Sequence, residues 1–191
     1  VESKKMSKQQ RIDKAFELEY YKTRDPRTGT IPKERLVRAK EYTQRLLAEK
    51  DAIPGIVWEE RGPDNVGGRT RAIVYDSSDP SHNTVWAAGV AGGLWKTTNF
   101  SADVPTWNNI DDFFDNLAIT SILQDPTNNK IMYFGTGEGW FNVGAVRGLG
   151  IWKSTDGGNN WIQLPATNNS DFHYIQDIII DKYGNLYATT R

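Results

Sequence analysis

The residues able to do chemistry are few and scattered. The stretch Glu138-Gly139-Trp140-Phe141-Asn142-Val143-Gly144-Ala145-Val146-Arg147-Gly148 brings a carboxylate, a guanidinium and two large aromatic rings close together in sequence. Trp140 and Phe141 can offer a flat face to a sugar ring or a peptide, with Glu138 and Arg147 fixing polar groups, and Glu138 could act as a general acid or base. The competing reading tucks Trp140 and Phe141 under the loop as a local cluster and pairs Glu138 with Arg147. Asp111, Asp112 and Asp115 suggest calcium, but Phe113-Phe114 interrupts them, and a loop acid cluster is expected instead. His82 and His173 lie in polar turn contexts 91 positions apart without ligand spacing, so neither a metal nor another cofactor is expected. The absence of Cys excludes a disulfide framework, a zinc–thiolate site and a cysteine nucleophile. Gly67-Gly68-Arg69 lacks the Gly-x-x-x-x-Gly-Lys-Ser/Thr pattern and a following helix. It reads as a turn into a strand bearing Arg69 and Arg71 at alternate positions, not as a phosphate cradle.

The elements that must carry these residues divide the chain into unlike parts. Residues 1–50 hold 14 Lys/Arg and 8 Asp/Glu, whereas the remainder holds 9 and 16, so a near-neutral total conceals a basic lead and an acidic body. All seven Trp lie beyond Asp51, and Gly29 is the only glycine before Gly55. In the lead, Ile12, Ala15, Phe16 and Tyr20 recur at helical spacing, as do Leu36, Ala39, Thr43, Leu46 and Leu47. Arg24-Asp25-Pro26-Arg27-Thr28-Gly29 between them is a turn by composition, and Pro32 suits the first position of the second helix. Acids interrupt the basic clusters throughout, so a solvated helical pair is expected rather than a nucleic-acid arm. The chain is predicted to be a helical extension over 1–55 followed by a β-rich body over 56–191. A mean hydropathy of -0.61 and the lack of any long apolar run exclude a membrane-spanning helix.

The body repeats. Arg71-Ala72-Ile73-Val74-Tyr75, Asp79-Pro80, Val85-Trp86-Ala87-Ala88-Gly89, Gly93-Leu94-Trp95-Lys96 and Trp107 are echoed downstream. The echo is Ile119-Thr120-Ser121-Ile122-Leu123, Asp125-Pro126, Ile131-Met132-Tyr133-Phe134-Gly135, Gly150-Ile151-Trp152-Lys153 and Trp161. The Asp-Pro pairs are 46 positions apart and the Gly-apolar-Trp-Lys quartets 57, which places an eleven-residue insertion between the second and third strands of the second copy. A third copy begins at Tyr174 and runs through Thr189. Four short β-rich runs per unit, at a period near 40–57, point to propeller blades, each needing neighbours to bury both faces of its sheet. A chain holding two units and part of a third is expected to be a portion of a longer propeller, completed by further blades of the same protein or by partner chains.

Ser154-Thr155-Asp156-Gly157-Gly158-Asn159-Asn160-Trp161 satisfies the pattern Ser/Thr-x-Asp-x-Gly-x-x-Trp and resembles the Asp-box, or BNR, repeat of sialidases, family 74 xyloglucanases and the sortilin luminal domain. Its hydroxyl and carboxylate can bond the N–H groups of a tight hairpin, with Gly158 left-handed and Trp161 capping the turn. In this resemblance Ser154, Asp156, Gly158 and Trp161 are structural, and the boxes lie away from a catalytic centre. In the first copy Thr97 persists but Asn99 stands for the Asp and Ser101 for the Gly, a decayed box. The segment Trp58 to Ile73, with Arg24-Asp25-Pro26 and Ile31-Pro32, resembles the start of large secreted propeller proteins of the Bacteroidota. Those proteins are often described as glycosyl hydrolases and usually carry a sorting domain for type IX secretion, which implies an extracellular or cell-surface location.

The same resemblances imply no catalytic set here. The sialidase Arg-Ile-Pro is replaced by Thr30-Ile31-Pro32, and the segment in which family 74 xyloglucanases place a catalytic Asp carries Val90, which exchanges no proton. The reading is therefore a secreted or surface all-β scaffold that binds a polysaccharide or a protein. The alternatives are a glycoside hydrolase whose carboxylates lie outside this chain and an intracellular assembly factor resembling photosystem assembly propellers.

Overall fold

The computed structural model describes residues 6–49, 68–140 and 145–191, in two units, Val1–Glu59 and Glu60–Arg191. The first unit holds α1 (Lys8–Thr23) and α2 (Lys33–Glu49). Ser7 and Gln10 cap α1 reciprocally, the Gln10 N–H donating to Ser7 Oγ at 3.2 Å and the Ser7 N–H to Gln10 Oε1 at 2.9 Å. The turn between the helices is organised by Asp25. Its carboxylate accepts the Arg27 N–H at 2.8 Å and pairs with Arg35 of α2 at 2.5 Å. These donors hold Asp25 below the usual carboxylate range, the Arg27 N–H foremost. Pro32 directly precedes the helix, one residue ahead of the position expected for it, and its carbonyl accepts the Arg35 N–H.

The second unit is all-β, a partial β-propeller. One antiparallel sheet runs in chain order through β1 (Thr70–Tyr75), β2 (Val85–Gly89), β3 (Gly93–Thr97) and β4 (Asn108–Asn109). A second repeats this order with β5 (Ile119–Gln124), β6 (Met132–Thr136), β7 (Ile151–Ser154) and β8 (Ile162–Gln163). A hairpin of β9 (Ile175–Ile180) and β10 (Leu186–Thr190) begins a third. The first strands adjoin in sequence, β1 packing on β5 and β5 on β9.

The period-two alternation of β-strands decides which face each side chain serves. Met132 and Phe134 of β6, with Trp152 of β7, pack towards the first sheet against Trp86, Ala88 and Leu94. Tyr133 of β6 and Ile151 of β7 pack the opposite way, against Ile175 and Ile178 of the third sheet. The second sheet is thus covered on both faces. Neighbours, not residue type, account for the contrast between Trp152, 8% exposed, and its repeat counterpart Trp95, 37% exposed, which no described sheet covers.

Polar clips join the same faces. Gln124 accepts the Ser77 N–H at 2.7 Å and donates to Asp76 at 2.9 Å, while Trp86 Nε1 donates to the other Asp76 oxygen at 3.1 Å. Burial works against the charged form of Asp76, yet donation by Ser78, Gln124 and Trp86 outweighs it and keeps the carboxyl acidic. On the other side Thr120 Oγ1 donates to the Ile175 carbonyl at 2.5 Å and Ser121 Oγ to Asp177 at 2.8 Å. The ladders also correct the expected repeat register. Asp76, not Asp79, is the counterpart of Asp125, since each follows the last paired residue of its strand and accepts from the hydroxyl two residues on.

Gly135 marks a close approach between the second and third sheets, where a Cβ would stand 2.6 Å from Ile175 Cγ2. Gly135→Ala is expected to destabilise the protein by about 1–3 kcal/mol through overpacking. Gly92→Ala, with nothing within 4 Å of its Cβ position, serves as the control. Urea unfolding checks this, and an unchanged midpoint for Gly135→Ala would contradict the packing described.

Candidate functional site

Strand direction sets two ends of the sheets apart. The β1–β2 and β3–β4 turns share one end with their counterparts in the second sheet, while the β2–β3 and β6–β7 connections share the other. The Ser154–Trp161 motif lies at the first end, in the β7–β8 turn. Ser154 Oγ donates to Asp156 Oδ1 at 2.8 Å and accepts the Gly158 N–H at 2.9 Å. Asp156 Oδ1 accepts the Asn159 and Asn160 N–H groups at 3.1 and 2.9 Å, and Oδ2 accepts Asn160 Nδ2 at 2.6 Å. Trp161 Nε1 donates to the Gly158 carbonyl, and its ring lies against Phe134. Gly158 has a φ of 85° and abuts Trp86 of the first sheet, where a Cβ would stand 2.4 Å from the indole. The first sheet keeps the same turn chemistry with an amide. Thr97 Oγ1 donates to Asn99 Oδ1 at 2.9 Å, and that oxygen accepts the Thr106 N–H at 2.9 Å. The first copy thus keeps the hydroxyl–acceptor pair of the box but fewer of its turn bonds.

At the opposite end stands a cavity of about 460 Å³ lined by Gly68, Arg69, Thr70, Arg71, Val90, Glu138 and Trp140. Glu138 is only 2% exposed, and Arg69 grips it bidentately, Nη1 to Oε1 at 2.7 Å and Nη2 to Oε2 at 3.0 Å. Trp140 is half exposed, with the Arg71 guanidinium over its ring at 4.2 Å from the centroid. The long β6–β7 connection that carries Glu138 and Trp140 is anchored by backbone bonds from Glu138 N–H to the Val146 carbonyl and from Gly148 N–H to the His173 carbonyl.

Of the sequence-derived candidates, Glu138 and Trp140 meet in this cavity. Phe141 and Gly67 lie outside the described residues, as do the boundary at 55/56 and most of the Trp58 to Ile73 segment. The structure corrects the Glu138–Arg147 pairing. Glu138 is taken by Arg69, whereas Arg147 meets His173 Nε2 at 2.8 Å and its carbonyl accepts Asn116 Nδ2. Nor does Trp140 tuck under its loop. Sequence reasoning overlooked Arg69 and Arg71 as site residues, because their partners are 69 positions away in each case. Val90 lines the cavity without a proton to exchange. Among the described residues no group of three His, Cys, Asp or Glu is placed to hold a metal, and no helix is long and apolar enough to cross a membrane.

No family model matches the chain, and no curated protein matches it. Among solved structures, an ancestral GH74 enzyme aligns with 59% of this chain and 15% of its own, at 20% identity and a TM-score of 0.43. A GH74 enzyme of Niastella koreensis aligns with 56% of this chain and 15% of its own, at 21% identity and a TM-score of 0.42. The chain spans about 15% of the length of each.

The Asp156 turn yields a pH prediction. Donation from the Asn160 side chain, then from its N–H and from Ser154, lowers the Asp156 pKa to about 2. A folded-state pKa below the unfolded value of about 3.9 stabilises above that pH and is lost as pH falls towards 2. Melting temperatures of wild type are therefore expected to fall more steeply between about pH 4 and pH 2 than those of Asp156→Asn. At pH 7 Asp156→Asn is expected to melt above Asp156→Ala, because Asn99 performs the equivalent acceptance with an amide oxygen. Parallel acid limbs for wild type and Asp156→Asn would contradict the assignment.

Proposed function

We propose that residues 56–191 form part of a secreted or cell-surface propeller of the Asp-box kind whose described site binds a polysaccharide without catalysing its cleavage. One observation carries the reading: a half-exposed Trp140 beside a buried, doubly hydrogen-bonded carboxylate at the end of the sheets away from the box turns. An exposed indole in a cleft with converging polar groups suits an amphipathic sugar ring. Glu138 is poorly placed for general acid work, because Arg69 occupies both of its carboxylate oxygens. Hydrolysis of a glycoside ordinarily needs a second carboxylate across the scissile bond, and Val90 supplies none. The helical extension 1–55 serves as a solvated lead with no role in binding nucleic acid. The remaining partners are further blades of the same protein, which would cover the exposed face of the first sheet where Ile73, Tyr75 and Trp95 lie.

Binding of the full chain to a panel of soluble polysaccharides, followed by affinity electrophoresis, tests this. Trp140→Ala is expected to weaken binding about tenfold or more, equivalent to about 1.4 kcal/mol, with the melting temperature preserved. Wild-type binding by Trp140→Ala would dispose of the site. Release of reducing ends from any polymer would instead favour the glycoside hydrolase alternative, and capture of a surface protein with no glycan bound would move the partner class to protein.

A further inference from the structure

The two complete sheets provide an internal control for what the repeat itself requires. Backbone pairing makes Arg69 the counterpart of Ala118, since the Arg69 carbonyl accepts the Val90 N–H as the Ala118 carbonyl accepts the Gly137 N–H. Arg71 is the counterpart of Thr120. Each is the residue passed over where the first strand bulges, between Thr70 and Ala72 in one sheet and between Ile119 and Ser121 in the other. In the second sheet these positions serve the fold, Ala118 being 1% exposed and Thr120 4% exposed with its hydroxyl bonded to the next sheet. In the first sheet both are exposed arginines directed at the β6–β7 connection, which has no counterpart of its length between β2 and β3. Bulges are a recognised means of re-aiming a side chain at a site. The cavity is therefore built where the first sheet and the long connection depart from the repeat.

The two arginines are in different electrostatic states. Arg69 is neutralised by Glu138. Arg71 makes a cation–π contact with Trp140 and, among the described residues, no ion pair or hydrogen bond, so its N–H donors remain available. A planar guanidinium accepts a carboxylate through two parallel hydrogen bonds, the geometry Arg69 already adopts with Glu138 in the same cavity. Outside residues 1–50 the chain carries 9 Lys/Arg against 16 Asp/Glu, so a polyanion gains nothing from the body's overall charge and must be held by a local cation.

Resting on the polysaccharide reading above, we infer that the ligand of this cavity is an acidic polysaccharide, its uronate carboxylate held by Arg71 while the sugar ring lies against the open surface of Trp140. Arg71 is the residue that selects acid over neutral sugar. Trp140 supplies affinity for either.

The test measures binding of the full chain by calorimetry to polygalacturonate and to the same polymer after carboxyl reduction, with wild type, Arg71→Ala, Arg71→Gln and Arg71→Lys. Wild type is expected to bind polygalacturonate at least tenfold tighter than the reduced polymer. The Ala and Gln variants are expected to lose that preference, binding polygalacturonate no tighter than the reduced polymer, with a wild-type melting temperature. Arg71→Lys is expected to keep part of the preference and to lose it as salt is raised. Equal wild-type affinity for the two polymers would overturn the acidic ligand and leave the polysaccharide reading standing. Binding to neither polymer, nor to any other in the panel, would overturn both. Undiminished preference in both Arg71→Ala and Arg71→Gln would overturn the assignment to Arg71.

Discussion

Covering both faces of one sheet is the constraint on which the rest of this structure depends. A four-stranded meander presents two apolar faces, and burying only one leaves large side chains in water. The second sheet meets the constraint through strict alternation. Met132 and Phe134 face one neighbour, while Tyr133 and Ile151 face the other. Burial of that much aromatic and aliphatic surface, at about 25 cal/mol per Å² of apolar area, dominates anything the surface ion pairs contribute. The polar clips around Asp76, Gln124, Thr120 and Ser121 act differently. They satisfy buried donors and acceptors at the seams and fix the rotation of one sheet against the next.

The division of labour between the two ends of the sheets follows from this packing. Turns at one end are fastened by side-chain acceptors, the carboxylate of Asp156 in one sheet and the amide of Asn99 in the other. The other end carries the long β6–β7 connection and the β1 bulge at Arg71. A rigid frame of this kind tolerates substitution where a residue no longer serves the seam. Arg71 stands where its counterpart Thr120 clips the next sheet, and it contacts Trp140 instead. The walls of the site come from the start of the first sheet and from the β6–β7 connection of the next.

Much of the architecture was legible in the chain, for identifiable reasons. The Gly-apolar-Trp-Lys quartet recurs because its Lys lies over an aromatic of the neighbouring strand, Lys96 over Trp86 and Lys153 over Tyr133, so the sequence echo records a repeated contact. The insertion length was legible from the unequal spacings. The register of Asp79 was not, because both turns carry an Asp-Pro pair while only Asp76 and Asp125 close the strand ends in the same way. The site was half legible. Trp140 and Glu138 are conspicuous in a loop, but the arginines that complete it lie far earlier in the chain, Arg69 just before β1 and Arg71 at its bulge. Comparing each position with its repeat counterpart is the signal that would have singled them out.

Native-state hydrogen exchange on the full chain tests the central claim most directly, since protection reports how deeply each strand is locked in the packed structure. If the second sheet is covered from both sides, amides of β5, β6 and β7 exchange slowest, with β1 and the β9–β10 hairpin exchanging faster. Protection in β10 equal to that in β6, or fast exchange through β6, would contradict the account.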